Sequence, residues 1–149
     1  MIIKINIDEK YAETEITINC GAMNDELEKV IATLRVLDCK LTGTLNNQTH
    51  ILDASRILYI DTTDGKTFFY TENDVYETSL RLYELEQRLP TNVFFRAGKS
   101  SIINFDKIKA LKSDIDGKII VTMENDEKLI VSRQYTSYVK NKLGGVKNG

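Results

Sequence analysis

The chain of 149 residues contains no tryptophan, one proline, one histidine and two cysteines. With a single histidine, His50, set among Asn and Thr, there is one candidate at most for a histidine-based catalytic pair, and an exposed or capping role is expected for it. Cys20 and Cys39 form no CxxC pair and have no histidine beside them. That argues against a His/Cys zinc site and a secreted disulfide framework, and the expected state is two buried, reduced thiols. No apolar stretch approaches the roughly 20 residues of a membrane span. The opening MIIKINIDEK lacks the basic start, apolar run and cleavage site of a signal peptide, so a soluble cytoplasmic protein is expected. Neither GxGxxG nor GxxxxGK[ST] occurs, nor HExxH, nor GxSxG. No enzyme chemistry or cofactor is therefore expected, although carboxylates paired only in space leave no sequence trace. The roughly 45 residues before the proposed boundary are also too few for a five-stranded receiver domain.

What is present is a core-forming composition with an uneven charge. Apolar residues make up 42%, enough for a packed core. The net charge is −2, but its distribution is lopsided. Residues 1–50 hold 5 Lys/Arg against 8 Asp/Glu, residues 51–90 hold 4 against 8, and residues 91–149 hold 11 against 6. A local basic field is enough to attract phosphate, because salt screens charges beyond about 10 Å. A charged surface without a partner gives the same count.

The pattern along the chain predicts three parts. Residues 1–45 read as a small β-β-α segment. Ile3, Ile5 and Ile7 alternate with polar residues, Asp8 to Glu13 turns, and Ile16 and Ile18 alternate again. Asn24 is a plausible N-cap for a helix carrying Leu27, Val30, Ile31, Leu34 and Leu37. That stripe can pack on its own strands, on the larger domain or on a second chain. The polar run 42–49, with Gly43, is the expected boundary. From residue 50 to 143 the chain reads as short strands: Ile57–Ile60, Thr67–Tyr70, Val75–Thr78, Val93–Arg96, Ser101–Asn104, Ile108–Leu111, Lys118–Met123 and Leu129–Val131. Asp64-Gly65 and Asp116-Gly117 mark hairpins. Ser79 is placed to cap a helix ended by Pro90, and Ser132 to cap a last helix stopped by Gly144 and Gly145. Residues 144–149 read as a flexible tail. The fold class is α+β, mostly β.

The informative stretch is Phe94-Phe95-Arg96-Ala97-Gly98-Lys99-Ser100-Ser101-Ile102-Ile103-Asn104, followed some thirty residues later by Val131-Ser132-Arg133-Gln134-Tyr135. Over residues 50–143 this resembles the LytTR DNA-binding family, with its F-x-R-x-H/K…I-V-N core and closing V-S-R-x-Y. The upstream strand, the Asp64-Gly65 hairpin and the 79–89 helix occur in the family's order. One departure is Gly98, which stands where the family often has histidine. The short N-terminal part looks like that of compact members lacking a receiver domain.

The resemblance implies an elongated ten-stranded β-fold whose loops enter DNA grooves, and double-stranded promoter DNA bearing repeats as the partner. It implies a homodimer, restraint by a membrane protein in some relatives, and no small-molecule substrate. Carried over residue by residue, Arg133 is expected to read a base and Lys99 to hold phosphate. Lys107 and Asn73 fall in loops expected to approach the DNA. Arg96 and Asn104 match the family's letters and stand as contact residues or as ties between loop and sheet. The alternative is a protein-interaction module that keeps the fold without reading DNA.

Overall fold

Regular structure begins where the sequence first supplies a cap. The Asn24 side chain accepts a hydrogen bond from the Leu27 N–H (2.8 Å), and helix α1 runs Asp25–Leu37 behind it, with Asp25, Glu26 and Glu28 in its first turn. Strands β1 (Lys40–Leu45) and β2 (Gln48–Asp53) follow. Then come β3 (Tyr59–Thr63), β4 (Lys66–Tyr70) and β5 (Val75–Thr78), helix α2 (Leu82–Arg88), β6 (Phe94–Arg96) and β7 (Ser101–Asn104). The chain continues with β8 (Ile108–Ser113), β9 (Ile119–Met123), β10 (Lys128–Val131) and helix α3 (Thr136–Lys142). Short 3-10 turns occupy Ala54–Arg56, Phe105–Lys107 and Arg133–Tyr135. These elements come from a computed structural model that describes residues 1–143; Gly144, Gly145 and the expected tail lie outside the described residues.

Ten strands form two antiparallel sheets, ordered β2-β1-β5-β4-β3-β7-β6 and β10-β9-β8. The larger sheet is covered on both faces, which explains why its strands carry adjacent apolar pairs. Phe94, Ile60, Ile102, Phe69 and Tyr76 join Ala32 and Val36 of α1 and Leu82 and Leu85 of α2 in one cluster. The neighbouring Phe95, Tyr59 and Ile103 point the other way, to Val121, Met123, Val131 and Val139 of the small sheet and α3. The register fixes this division. Ile60 pairs with Ile102 and Phe69, and Tyr59 with Ile103 and Tyr70; a one-residue slip would exchange the two cores.

Several expectations need correction. No strand forms over Ile3–Ile7 or Ile16–Ile18. The turn between them is made, with the Tyr11 N–H donating to the Asp8 carbonyl (3.2 Å) and the Lys10 N–H to Asp8 Oδ1 (3.0 Å), yet the flanking isoleucines are exposed. A lone two-stranded hairpin with no covering layer is marginal in water. The run 42–49 is no linker. It is most of the β1–β2 hairpin, turned at Asn46 and Asn47 with positive φ. Its polar letters misled because β2 is an edge strand, free to show Gln and Thr to solvent. Helix α2 is capped at Arg81, whose N–H donates to Glu84 Oε1 (3.2 Å), and not at Ser79. Cys20 is exposed; Cys39 is half-buried, and burial raises its thiol pKa. His50 sits on β2 with its ring edge-on to Tyr76.

Gly43 is required by packing. A Cβ there would lie 2.7 Å from Tyr76 Cβ on β5, too close for either strand to keep its place. Gly43→Ala is expected to lower stability by about 1–3 kcal/mol, read as an earlier midpoint in urea unfolding; an unchanged midpoint would show that β1 and β5 can separate freely.

Candidate nucleic-acid interface

The sheet has two working ends, and the strand directions decide which residue goes to which. At the Thr63 end, β3 turns into β4 through Asp64 (φ +53°) and Gly65 (φ +77°), a two-residue turn of the kind favoured in hairpins. The loop between β6 and β7 arrives beside it, because β7 runs antiparallel to β3 and the Thr62 N–H donates to the Ser100 carbonyl (2.8 Å). The closing segment after β10 is drawn to the same place. The Ala97 carbonyl accepts from both the Ser132 N–H (2.9 Å) and the Ser132 hydroxyl (3.3 Å). Lys66, Lys99 and Arg133 thus gather at one end of the sheet, all three exposed. The aliphatic stem of Arg133 lies across the β8–β9 turn, where a Cβ on Gly117 (φ +79°) would sit 3.0 Å from Arg133 Cδ.

Arg96 and Asn104, expected above as contact residues or ties, both make ties within the protein. The Arg96 guanidinium donates to the carbonyls of Gly98 (2.7 Å) and Lys99 (2.6 Å) and pairs with Glu86 of α2. The two carbonyl bonds shape the loop that presents Lys99. Asn104 is 1% exposed; its amide NH2 donates to the Ile57 carbonyl (2.9 Å) and its Oδ1 accepts from the Asp106 N–H (3.0 Å). With both ends of the amide used inside the protein, it has nothing to offer a groove.

Asn73 and Lys107 lie at the opposite, Tyr59 end, four residue steps along β3 or roughly 13 Å away. Asn73 is exposed in the tight 71–74 turn, where the Thr71 N–H donates to the Asp74 carbonyl (2.9 Å). Lys107 lies 3.8 Å from Glu124 Oε2. Acidic side chains crowd this end. Glu72 and Asp74 flank Asn73, Asp106 precedes Lys107, and Glu124, Asp126 and Glu127 occupy the β9–β10 turn, whose Glu124 N–H donates to the Lys107 carbonyl. The tyrosines beneath feel them. Tyr59, stacked on Tyr70 at 4.3 Å, is pushed up to about 12 by burial first and then by Glu127, Tyr70 and Asp61, with an Asn125 hydrogen bond pulling the other way. Burial also raises the Asp61 carboxyl, against a hydrogen bond from Tyr70, and its Oδ1 has no partner. The Thr63 end carries Asp64, Asp114 and Asp116 in its turns beside Lys66, Lys99, Lys118 and Arg133, and is the less acidic of the two ends.

Among the described residues four ion pairs form, Lys40–Asp53, Arg96–Glu86, Lys107–Glu124 and Lys109–Asp126. Lys66, Lys99 and Arg133 are in none of them. Lys66 escaped the sequence reading because its relation to Lys99 and Arg133 is purely spatial; the Asp64-Gly65 turn before it was the available signal. No group of three or more His, Cys, Asp or Glu among the described residues is placed to hold a metal ion. No helix among them is long and apolar enough to cross a membrane.

Comparison with known proteins matches the part of the chain that carries both ends of the large sheet. The model of the LytTr DNA-binding domain matches residues 47–144. Two regulators named as uncharacterized HTH-type transcriptional regulators, from Staphylococcus aureus strains MSSA476 and NCTC 8325, are each 30% identical, over 145 and 146 residues. These alignments cover 96% and 95% of this chain and 98% and 99% of the relatives. A solved structure of the LytTr DNA-binding domain of a methyl-accepting/DNA response regulator from Bacillus cereus superposes with a TM-score of 0.67 at 29% identity. It covers 71% of this chain and 97% of its own.

Proposed function

Since this chain belongs to the LytTR DNA-binding family, we propose that it is a transcription regulator that reads specific duplex sites through the Thr63 end of its large sheet. Repeated sites and a homodimeric reader follow from the same proposal. The observation that carries it is the double hydrogen bond from Ser132 to the Ala97 carbonyl, which sets Arg133 beside the Lys99 loop. Arg133 is the base reader: an exposed arginine on a braced stem can present its planar fork to the O6 and N7 of guanine in the major groove. Lys66 and Lys99 are compact positive charges on turns, suited to phosphate contacts that fix register without reading sequence. Asn73 and Lys107 make flanking contacts at the other end in this reading, with the neighbouring acids limiting how closely that end approaches the backbone.

Fluorescence anisotropy tests the reading. A labelled duplex from upstream of the protein's own gene is titrated beside a scrambled duplex at low and high salt. Binding is expected to weaken steeply with salt, because each neutralised phosphate releases counterions, and to favour the upstream duplex. Lys99→Ala should weaken both duplexes to a similar degree and lower the salt slope by about 1. Wild-type protein that binds neither duplex at low salt would remove the DNA-reading function and favour a protein-interaction module.

A further inference from the structure

The β8–β9 turn carries the most exposed large apolar side chain among the described residues, Ile115, at 98%. Other residues specify the turn. The Asp114 N–H donates to the Lys118 carbonyl (2.8 Å) and the Gly117 N–H to the Asp114 carbonyl (3.2 Å), which closes a three-residue hairpin loop. Asp114 Oδ1 accepts from the Ile115 N–H (2.8 Å), and Gly117 (φ +79°) supplies the left-handed residue that returns the chain to β9. Ile115 occupies the first corner of this turn, a position open to most residue types. It belongs to neither core cluster. An isoleucine left in water gives the fold nothing, since apolar area stabilises only when it is removed from solvent.

The turn also supports the stem of Arg133, since a Cβ on Gly117 would sit 3.0 Å from Arg133 Cδ. Ile115 is two residues from that contact, and two residues span at most about 7 Å. Successive bases on a strand are about 3.4 Å apart. We propose that Ile115 is a second specificity-determining residue, which packs against the C5-methyl of a thymine in the major groove a few base pairs or fewer from the base that Arg133 reads. This deepens the DNA-reading function proposed above and rests on it. The C5-methyl is what thymine alone presents in the major groove, and apolar side chains recognise it. Isoleucine is branched at Cβ and stiff at χ1, so it offers its methyl groups at little ordering cost. The charges around it fit a contact with a base edge. Asp114 and Asp116 flank the tip, and phosphates repel both. A turn so flanked is ill suited to general adhesion to DNA, and its repulsion is offset only where the tip meets the right base, which is how an unfavourable element sharpens discrimination.

Fluorescence anisotropy on the full chain tests the contact. The probes are the duplex from upstream of the protein's own gene and a series in which its thymines are replaced, one at a time, by deoxyuridine. Each exchange removes one methyl group and leaves every hydrogen-bonding group of the base in place. For wild type, deoxyuridine at the contacted position should weaken binding about three- to tenfold, the worth of one or two methyl groups of apolar contact. Exchange elsewhere should have little effect. Ile115→Ala should bind the unmodified duplex about as weakly as wild type binds the deoxyuridine one, and should be indifferent to the exchange. Ile115→Val should keep part of the sensitivity. The urea midpoint of Ile115→Ala should match that of wild type, which separates a lost contact from lost folding. A wild type that prefers the upstream duplex yet shows a flat deoxyuridine profile would overturn the contact and leave the DNA reading intact. So would an Ile115→Ala variant that keeps the wild-type profile. A wild type that binds no duplex would remove the DNA reading, and this contact with it.

Discussion

Arg133→Ala is expected to cost about 1–3 kcal/mol on the cognate duplex, a loss between several-fold and more than a hundredfold, and much less on a scrambled one. The asymmetry follows from what the side chain does. A phosphate contact is worth the same on every sequence, whereas a bidentate contact to a base edge disappears wherever that base is absent. Arg133 is suited to the second role because its backbone and stem are held. Its carbonyl accepts from the Thr136 hydroxyl (3.0 Å), the preceding Ser132 is tied to Ala97, and the stem rests on Gly117. Anisotropy with both duplexes decides between the roles. Equal losses on the two would make Arg133 a backbone contact, and no loss on either would move the reading residue elsewhere at that end of the sheet.

Asn104→Ala should remove about 1–3 kcal/mol of folding stability, since it strands the Ile57 carbonyl in a buried setting and frees the part-buried Asp106 N–H. Urea unfolding of the full chain measures this. DNA affinity, determined where the variant remains folded, should be unchanged per folded molecule. The reverse pattern, intact stability with weakened binding, would return Asn104 to the interface. The contrast with Arg133 is instructive because both residues match the family's pattern. A recurrent letter says that a position matters, and only burial and partners say whether it serves the fold or the ligand.

The sequence disclosed the large elements well. The LytTR likeness, the mostly-β class and its ten strands agree with the structure. Asn24 was legible as a cap, because local hydrogen-bonding chemistry is written within a few residues. Strands β1 and β2 were missed. Lys40–Leu45 and Gln48–Asp53 alternate weakly, and Gly43 reads as a breaker until Tyr76 is seen pressed against it. The α1 stripe was legible as a stripe but not as a direction; periodicity shows that a face exists and leaves open what it meets. For the site, Arg133 and Lys99 came from motif letters, whereas Lys66 joined them only through strand register. Arg96 could not be sorted in advance, because its role depends on two carbonyls in its own loop and on Glu86, ten residues earlier.

The Ser132–Ala97 tie has a thermodynamic consequence. Lys66, Lys99 and Arg133 come from three distant stretches of chain and meet only after both sheets have formed and the segment following β10 has closed onto the β6–β7 loop. The reading surface is therefore a property of the completed fold, absent from any partly assembled state. On the function proposed above, a specific duplex is expected to bind the native chain in preference to the unfolded one and to stabilise it by RT ln(1 + [L]/Kd), about 2.7 kcal/mol at a hundredfold excess over Kd. Occupancy of the operator and persistence of the protein are then linked quantities. On that reading a molecule seated on its site would unfold less often than one free in solution, and its lifetime against proteolysis would rise with the fraction of time it spends bound.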